Sequence, residues 1–287
     1  MHDAVSRRRL LTTAAGAVAV GLAGCSGSSS DGSTDTVTDD GTTTDDGTTT
    51  DTGEEGAYRN GVGADASVAF AVPSSEPAYT SRSVQWEAEA DGVTIEKSGE
   101  VTEGAGHYHV LVDTEPVEPG ESIPDDDAHV HFGTGQKEGV LDLDPGDHTL
   151  HLQVGDGKHT AMALTDSVDV SVTQDADLDV QTTVDGSVVE WEVTTENYTI
   201  EPSSAGVTAN AGHLHALIDS EAVPVGEVIP NLETHVHYGD GSTSGTLDLE
   251  KRLGDAYDPG EHTLRFQVGT GTHRATTVTT KTTVETE

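Results

Sequence analysis

Eight of the fourteen histidines lie in four His-x-His pairs, and the last two pairs repeat the first two at a constant spacing. The second set follows the first by 106 residues, and the four pairs are His107/His109, His129/His131, His213/His215 and His235/His237. Imidazole is the commonest metal ligand among side chains, and residues i and i+2 of a β-strand point to the same face. The pattern therefore predicts two copies of a metal-binding face.

Alternation along the chain separates these histidines from the predicted core. Tyr108, Val110 and Val112 share one strand face, which is apolar in the second copy as well, whereas His107 and His109 share the other face. The second pair of each copy alternates with apolar residues in the same way. We therefore expect both pairs of a module to project away from the core, on one surface and close enough to share an ion.

Two more types of residue are candidates for the same site. His159 and His273 recur in glycine-rich loops, and each is a candidate further ligand if its loop folds toward the pairs. Asp113 and Asp219 lie on the histidine face of their strands, so they are candidate carboxylate ligands or acceptors for a ligand's second ring nitrogen.

The histidines that follow Pro-Gly turns differ from the pairs. His148 and His262 enter a strand on its apolar side, directly after a turn. For these two we favour a structural role at the corner, with the ring hydrogen-bonded to nearby backbone, over metal ligation.

Four to five imidazoles without a thiolate suit Zn(II), Cu(II) or Ni(II), about one ion per module. The chain shows no evident nucleophile or Ser-His-Asp order, so we expect metal capture or buffering and no enzymatic activity. One alternative is a structural, adhesion or ligand-binding module without metal, whose histidines form a pH-sensitive surface. Another is a cupin-like metalloenzyme, although no glutamate stands at the cupin spacing after His109.

The N-terminus predicts export and lipid anchoring. Arg7 and Arg8 precede a short apolar run that is below the roughly 20 residues needed to span a bilayer, so residues 1–24 are expected to be a twin-arginine signal peptide. Leu22-Ala23-Gly24-Cys25 fits a lipobox, in which the cysteine is lipidated. The chain would then be anchored through Cys25 to the outer face of the cytoplasmic membrane.

Composition describes the next segment and the surface. Residues 25–60 are dominated by Ser, Thr, Asp and Gly, which predicts a disordered tether. The formal charge of −39 comes from 52 acidic and 13 basic residues spread along the chain, as in halophilic proteins. We interpret this charge as solvation chemistry, and it argues against nucleic acid as a partner. Nothing in the sequence indicates a particular protein partner.

From Ala57 onward, short alternating runs separated by Gly, Pro and Asp predict an all-β fold. The two halves align, with Trp86 matching Trp191, and predict two tandem β-sandwich modules of immunoglobulin-like type, residues 61–174 and 175–287. The second copy has gained eight residues near Lys251 to Asp258, which we place in a loop.

The repeated blocks resemble a known family. Gly-His-x-His-x-Leu-x-Asp, His-x-His-Phe/Tyr-Gly and Pro-Gly-x-His-Thr-Leu with a following Gly-x-His are similar to an exported domain of bacteria and archaea, domain-of-unknown-function family 4399. That family usually has three consecutive histidines in the first block, where this chain has Tyr108 and Leu214 in the middle. The departure agrees with the alternation, because the middle position faces the core. The resemblance implies no established activity.

Overall fold

The structure is a computed structural model, and it describes residues 57–74 and 78–287. The predicted signal peptide, Cys25 and the tether up to residue 56 lie outside the described residues. Residues 57–60, which we had assigned to the tether, contact the first module instead. The Tyr58 hydroxyl donates to Asp156 at 2.7 Å, and the Arg59 guanidinium donates to the carbonyl of Ala163 at 3.1 Å. The chain therefore contacts the first module already before residue 61, the predicted boundary of that module.

The first module is built from two sheets. Its strands are β1 Ser67–Val72, β2 Ala78–Tyr79, β3 Ser83–Asp91, β4 Thr94–Ile95, β5 Ala105–Val112, β6 His129–Phe132, β7 Glu138–Asp142, β8 Gly146–Gly155 and β9 Ala161–Val172. One sheet has the order β1-β3-β7, and the other has the order β2-β9-β8-β5-β4. Strand β6 also pairs with β5, so β4 and β6 share the edge of β5 opposite β8.

The second module repeats this arrangement. Its strands are β10 Asp177–Asp185, β11 Val188–Glu196, β12 Thr199–Ile200, β13 Ala211–Ile218, β14 His235–Tyr238, β15 Ser244–Asp248, β16 Glu261–Gly269 and β17 Ala275–Glu285. The sheets are β10-β11-β15 and β12-β13-β16-β17, with β14 on β13. The prediction of an all-β chain with two tandem sandwich-like modules is confirmed.

Each module has a core between its sheets with one tryptophan at its centre. Trp86 is fully buried, and its ring lies 4.5 Å from that of Phe132, edge to face. Trp191 takes the same place in the second module, 4.6 Å from the ring of Tyr238. Tyr108 and Val110 belong to the first core, as the alternation predicted, so the histidines between them face the other way.

The residues gained by the second copy are not a simple loop. They form a short helix, α1 Leu249–Leu253, followed by a 3₁₀ turn at Gly254–Ala256. The Asp248 side chain accepts from the backbone of Lys251 at the start of α1, and Leu249 and Leu253 are buried one turn apart. These local signals explain the helix. No helix within the described residues is long and apolar enough to cross a membrane.

The two modules contact each other, and the described residues fall in one compact unit. The buried Gln85 amide donates to the Tyr198 hydroxyl at 2.9 Å and to the Ala211 carbonyl at 2.7 Å. At a second place, Arg274 of the second module forms an ion pair with Glu138 of the first at 2.9 Å. The contacts between the modules therefore include buried hydrogen bonds and an ion pair.

Candidate metal centre

Four histidines of the first module converge on one point. One ring nitrogen from each lies within 4.8 Å of the corresponding nitrogens of the other three, and the set is His107, His109, His131 and His159. His107 and His109 alternate along β5, and strand pairing sets His131 directly opposite His109. Gly155 pairs with His107, so the turn after β8 brings His159 to the same end of the sheet. Each ligand is thus placed by a strand or by the turn that ends one.

The second module repeats the cluster. The ring nitrogens of His213, His215 and His237 lie within 4.8 Å of one another. His273 completes the set, because its Nε2 lies 3.1 Å from Nε2 of His237 and its ring centre 4.9 Å from that of His213. We call the two sets site 1 and site 2. Of the ten histidines that the sequence predicts as candidate ligands, eight lie in these two sites, including both loop histidines.

The loop histidines adopt an unusual backbone conformation. His159 has φ of +66° and His273 has φ of +68°, the left-handed region that few residues other than glycine adopt. Each is held there by its neighbours: the Ile123 amide donates to the His159 carbonyl at 2.8 Å, and Ile229 does the same for His273. Residues held in such a conformation cluster at functional sites.

A glycine lies against the exposed histidine of each site. A β-carbon at Gly133 would overlap the imidazole of His131, and one at Gly239 would overlap that of His237. The ring folds back over the chain two residues later, so a larger residue at that position would displace the ring. This contact explains the glycine that ends the His-x-His-Phe/Tyr-Gly block.

The histidines face away from the sandwich core, but the prediction of an outward surface was wrong for the five of the eight paired histidines that are buried: His107, His109, His213, His215 and His235. His107 and His109 are 0% and 2% exposed. The connection between β5 and β6 folds back over them, and it is tied down where Gln153 bonds both the amide and the carbonyl of Val117. The connection pairs with the turn after β8 at Ser122 and Thr160. Strand alternation assigns a face, but it does not show that a later segment covers it.

His129 and His235, two of the predicted ligands, lie outside the clusters. His129 pairs with Leu111, one step along the strand from the site, and its Nδ1–H donates to Asp126 at 2.7 Å. His235 likewise pairs with Leu217, and its ring contacts the Thr234 hydroxyl at 3.2 Å. Strand pairing thus places His129 opposite Leu111, beyond His109 and on the side away from His107, whereas His131 lies opposite His109.

Asp113 and Asp219 also serve a different purpose from the predicted one. Asp113 accepts from the ring of His148 at 2.7 Å and from the amide of Thr149 at 2.9 Å. Asp219 makes the same contacts with His262 and Thr263. His148 and His262 also bond backbone carbonyls at 2.8 and 3.0 Å, so the predicted corner role is confirmed. The carboxylates support the corners, away from the sites.

The sites favour neutral imidazoles. Burial, reinforced by the neighbouring histidines, lowers the pKa of His107 to about 4 and that of His109 to about 2. The same causes lower the pKa of His213 to about 4 and that of His215 to about 3. Burial also lowers the pKa of His131, followed by the charge of His159. A neutral imidazole keeps the lone pair that a metal ion requires.

Two ring-nitrogen distances in each site are close to those between the ligands of a metal ion. The Nε2 atoms of His107 and His109 are 3.0 Å apart, and those of His131 and His159 are 3.2 Å apart. Site 2 gives 2.9 Å and 3.1 Å for the matching pairs. With Zn–N bonds of about 2.0–2.1 Å, the ligands of a tetrahedron lie about 3.3 Å apart, and those at right angles in a square about 2.9 Å. The observed values fall between these two geometries.

The second ring nitrogens depart from the usual pattern of metal ligands. Nδ1 of His107, His109 and His213 is buried without a hydrogen-bond partner among the described residues. Metal-binding histidines almost always donate this proton to an acceptor, and losing the acceptor typically costs about 10–100-fold in affinity. The donor set fits a transition metal, while its surroundings favour moderate affinity.

Sequence reasoning missed the residues that support the ligands. Gln153 and its counterpart Gln267 are buried on the histidine side of the sheet, at 0% and 1% exposure. Asp156 accepts from two amides of the turn that carries His159. The sequence did mark the two glutamines, because each stands between two apolar core residues. Nothing in the sequence marked the role of Asp156, since the second copy has Thr270 at that position.

Comparison with known proteins identifies one family. The profile described as "Domain of unknown function (DUF4399)" matches residues 86–173 and 191–287. No curated protein matches the chain. Among solved structures, the apo structure of Bacteroides uniformis beta-glucuronidase 3 is similar at 10% identity and a TM-score of 0.24, over 77% of this chain and 25% of that one. The chain thus spans a quarter of that protein's length, and so distant a likeness carries no argument.

Proposed function

Since the chain belongs to the DUF4399 family and carries two tandem copies of its domain, a domain of unknown function, we propose a function from the sites themselves. Each module binds one transition-metal ion, Zn(II), Cu(II) or Ni(II), through four imidazoles. The observation that carries this proposal is the convergence of four ring nitrogens in site 1, and of three in site 2 with His273 in contact with the third. Imidazole nitrogens suit these three ions, and a site without sulfur disfavours Cu(I).

The number of ligands favours capture or buffering over catalysis. Catalytic zinc sites usually keep three protein ligands and leave the fourth position to water or substrate. Four imidazoles fill a four-coordinate ion and leave no position for a substrate. The proposed role is therefore to hold and release metal, and the unpartnered Nδ1 atoms support an affinity low enough for release.

The opening of each site supports exchange with solvent. Beside the two fully buried histidines of site 1, His131 is exposed and His159 is half-buried. A cavity of about 440 Å³ adjoins them, lined by Ser122, Ile123, Pro124 and Asp125 together with His109, His131 and His159. A hydrated ion can reach the exposed pair first and then lose its remaining water to the buried pair.

We also propose where this function takes place. The twin arginine and the lipobox around Cys25 direct the chain through the twin-arginine pathway to the outer face of the cytoplasmic membrane. Two sites on a tether would then collect metal at the cell surface. Replacing Cys25→Ser should release the protein into the medium, and a variant that remains in the membrane fraction would contradict the anchor.

The test is a calorimetric titration of the purified chain with each of the three ions in molar salt. We expect about two bound ions per chain, one per module. The variant His131→Ala/His159→Ala should bind one, and adding His237→Ala/His273→Ala should abolish binding. His151→Ala is the matched control, because this histidine lies on β8 outside both clusters and should leave binding unchanged.

The result that would overturn the proposal is equally specific. Unchanged affinity for all three ions after removal of all four residues would show that the clusters do not bind metal. Retention of a protein or glycan partner in chelator would then support the adhesion alternative. Oxygen consumption that depends on metal and on an added substrate would support the cupin-like alternative instead.

A further inference from the structure

The two loop histidines are held by different means. In the first module, the Asp156 carboxylate accepts from the amides of Lys158 and Thr160 at 2.8 and 3.0 Å, one on each side of His159. The Tyr58 hydroxyl donates to the other oxygen of Asp156 at 2.7 Å. The turn that carries His159 is therefore fixed by groups of its own module.

The second module replaces this support. Thr270 stands where the first module has Asp156, and its hydroxyl accepts from only one turn amide, that of Arg274 at 3.2 Å, and bonds the Thr272 hydroxyl at 3.0 Å. The neighbours of His273 instead reach across to the first module. The Arg274 guanidinium donates to both oxygens of Glu138 at 2.9 and 3.0 Å, and the Thr272 hydroxyl donates to the same carboxylate at 2.7 Å.

The Glu138–Arg274 ion pair is not repeated by the equivalent positions of the two copies, because those positions hold different residues. Glu138 of the first copy corresponds to Ser244 of the second, and Arg274 of the second corresponds to Thr160 of the first. The same guanidinium also donates to the Gly226 carbonyl at 2.9 Å, which ties the segment covering site 2 to the turn that carries His273. The side chains of Glu138 and Arg274 are only 17% and 16% exposed, so salt screens their attraction less than that of a surface pair.

We propose that Glu138 of the first module is a positioning residue for the metal ligand His273 of the second, so that site 2 is complete only while the modules are docked. This inference rests on the proposed function. By linkage, an ion in site 2 must strengthen the contact between the modules by the same factor by which docking strengthens its binding. Site 1 has no such dependence, since Asp156 fixes its turn locally.

The experiment measures Zn(II) binding at each site in a chain that lacks the other site. His131→Ala/His159→Ala leaves only site 2, and His237→Ala/His273→Ala leaves only site 1. Into each background we introduce Glu138→Gln, which keeps the size of the side chain and removes its charge. Zn(II) is titrated by calorimetry. The matched control is Glu89→Gln, the same change at an exposed position on β3 of the same sheet.

Glu138→Gln should weaken Zn(II) binding at site 2 by about tenfold, the loss expected when charge-assisted hydrogen bonds are removed. Binding at site 1 should change by less than about twofold, and Glu89→Gln should affect neither site. Adding Thr270→Asp, which copies the support found in the first module, should restore most of the lost affinity. Unfolding cannot produce this split, because it would weaken both sites.

The inference and the proposed function fail in different ways. If neither single-site chain binds Zn(II), Cu(II) or Ni(II), the proposed function is wrong. If both bind but Glu138→Gln changes site 2 no more than Glu89→Gln does, the positioning role is wrong while the metal sites stand. An equal loss at both sites would also overturn it, since Glu138 would then support the fold as a whole.

Discussion

Lowering the pH from 7 to 4 should destabilise the metal-free protein, because buried imidazoles resist protonation in the folded chain. The pKa of His107 and that of His213 are held at about 4, against 6.5 in an unfolded chain. Between these values the unfolded state binds protons that the folded state does not. The free energy of unfolding therefore rises with pH across this window, and the folded chain becomes less stable as the pH falls.

The size of the effect follows from the two pKa values. For one histidine, the difference between 6.5 and about 4 lowers the free energy of unfolding by about 3 kcal/mol at pH 4. His107 in one module and His213 in the other each give about 3 kcal/mol, a large part of the 5–15 kcal/mol typical of a domain. Both are fully buried, so solvent does not screen the effect. His109 and His215 act in the same direction.

Two corner residues titrate mainly outside this window, whereas His131, His235 and His237, whose pKa burial also lowers, add to the loss within it. Hydrogen bonds from His148 and Thr149 hold the pKa of Asp113 below 3.8 even though burial opposes them, so its stabilising contribution is lost only in stronger acid. Bonds to Asp144 and Asp113 outweigh burial and raise the pKa of His148. Its contribution is present in full below pH 6.5 and is lost as the pH rises above that. The loss between pH 6.5 and 4 therefore comes from the histidines whose pKa is lowered in the folded chain.

The assay is urea unfolding in chelator at several pH values, followed by tryptophan fluorescence, because each module has one buried tryptophan. The variant His107→Gln/His213→Gln should lose about 3 kcal/mol less in each module between pH 7 and 4 than the parent chain. The slope should persist in molar salt, since burial is its largest cause and salt does not screen it. A flat profile in this window, or an unchanged slope in the variant, would refute the argument for buried neutral imidazoles.

Three further predictions concern site 1 and its loops. Gly133→Ala should lower Zn(II) affinity by at least about tenfold in a calorimetric titration, because the new β-carbon meets the ring of His131. The control Gly63→Ala should leave the affinity unchanged, because a β-carbon there meets no atom within 4 Å. His159→Gly relieves a left-handed backbone, so the metal-free free energy of unfolding should change by less than about 1 kcal/mol while the stabilisation by Zn(II) at site 1 is lost; a larger metal-free loss in urea unfolding would contradict this. Asp125→Asn removes a negative charge that raises the pKa of His131, so it should weaken Zn(II) binding at low salt and have little effect in molar salt, and an equal loss in both would argue for a direct ligand.

The cluster could be predicted from the sequence to the extent that it depends on strand alternation. His107, His109 and His131 were assigned to the histidine face because the period of a strand is two. His129 was included wrongly, since the same rule says nothing about distance along the strand. The burial of His107 and His109 also escaped prediction, because the segment that covers them is brought there by contacts distant in sequence.

The support of the two sites shows a different limit. Asp156 and Glu138 are two acidic residues among 52, and nothing in their neighbourhoods marks them. Each gains its role from residues that only the fold places beside it, Tyr58 in one case and Arg274 in the other. The repeat itself hides this difference, because aligned copies are expected to be supported alike.

The sequence by itself determined the all-β class, the duplication, the core face of each strand and the imidazole chemistry of the sites, since these follow from residue type and local period. The tertiary structure alone decided which histidines meet, which are buried and how the modules contact each other. Convergence of side chains from β5, β6 and the turn after β8 depends on strand pairing and on the covering segment. These are long-range contacts, whose free energy is shared by residues far apart in the chain.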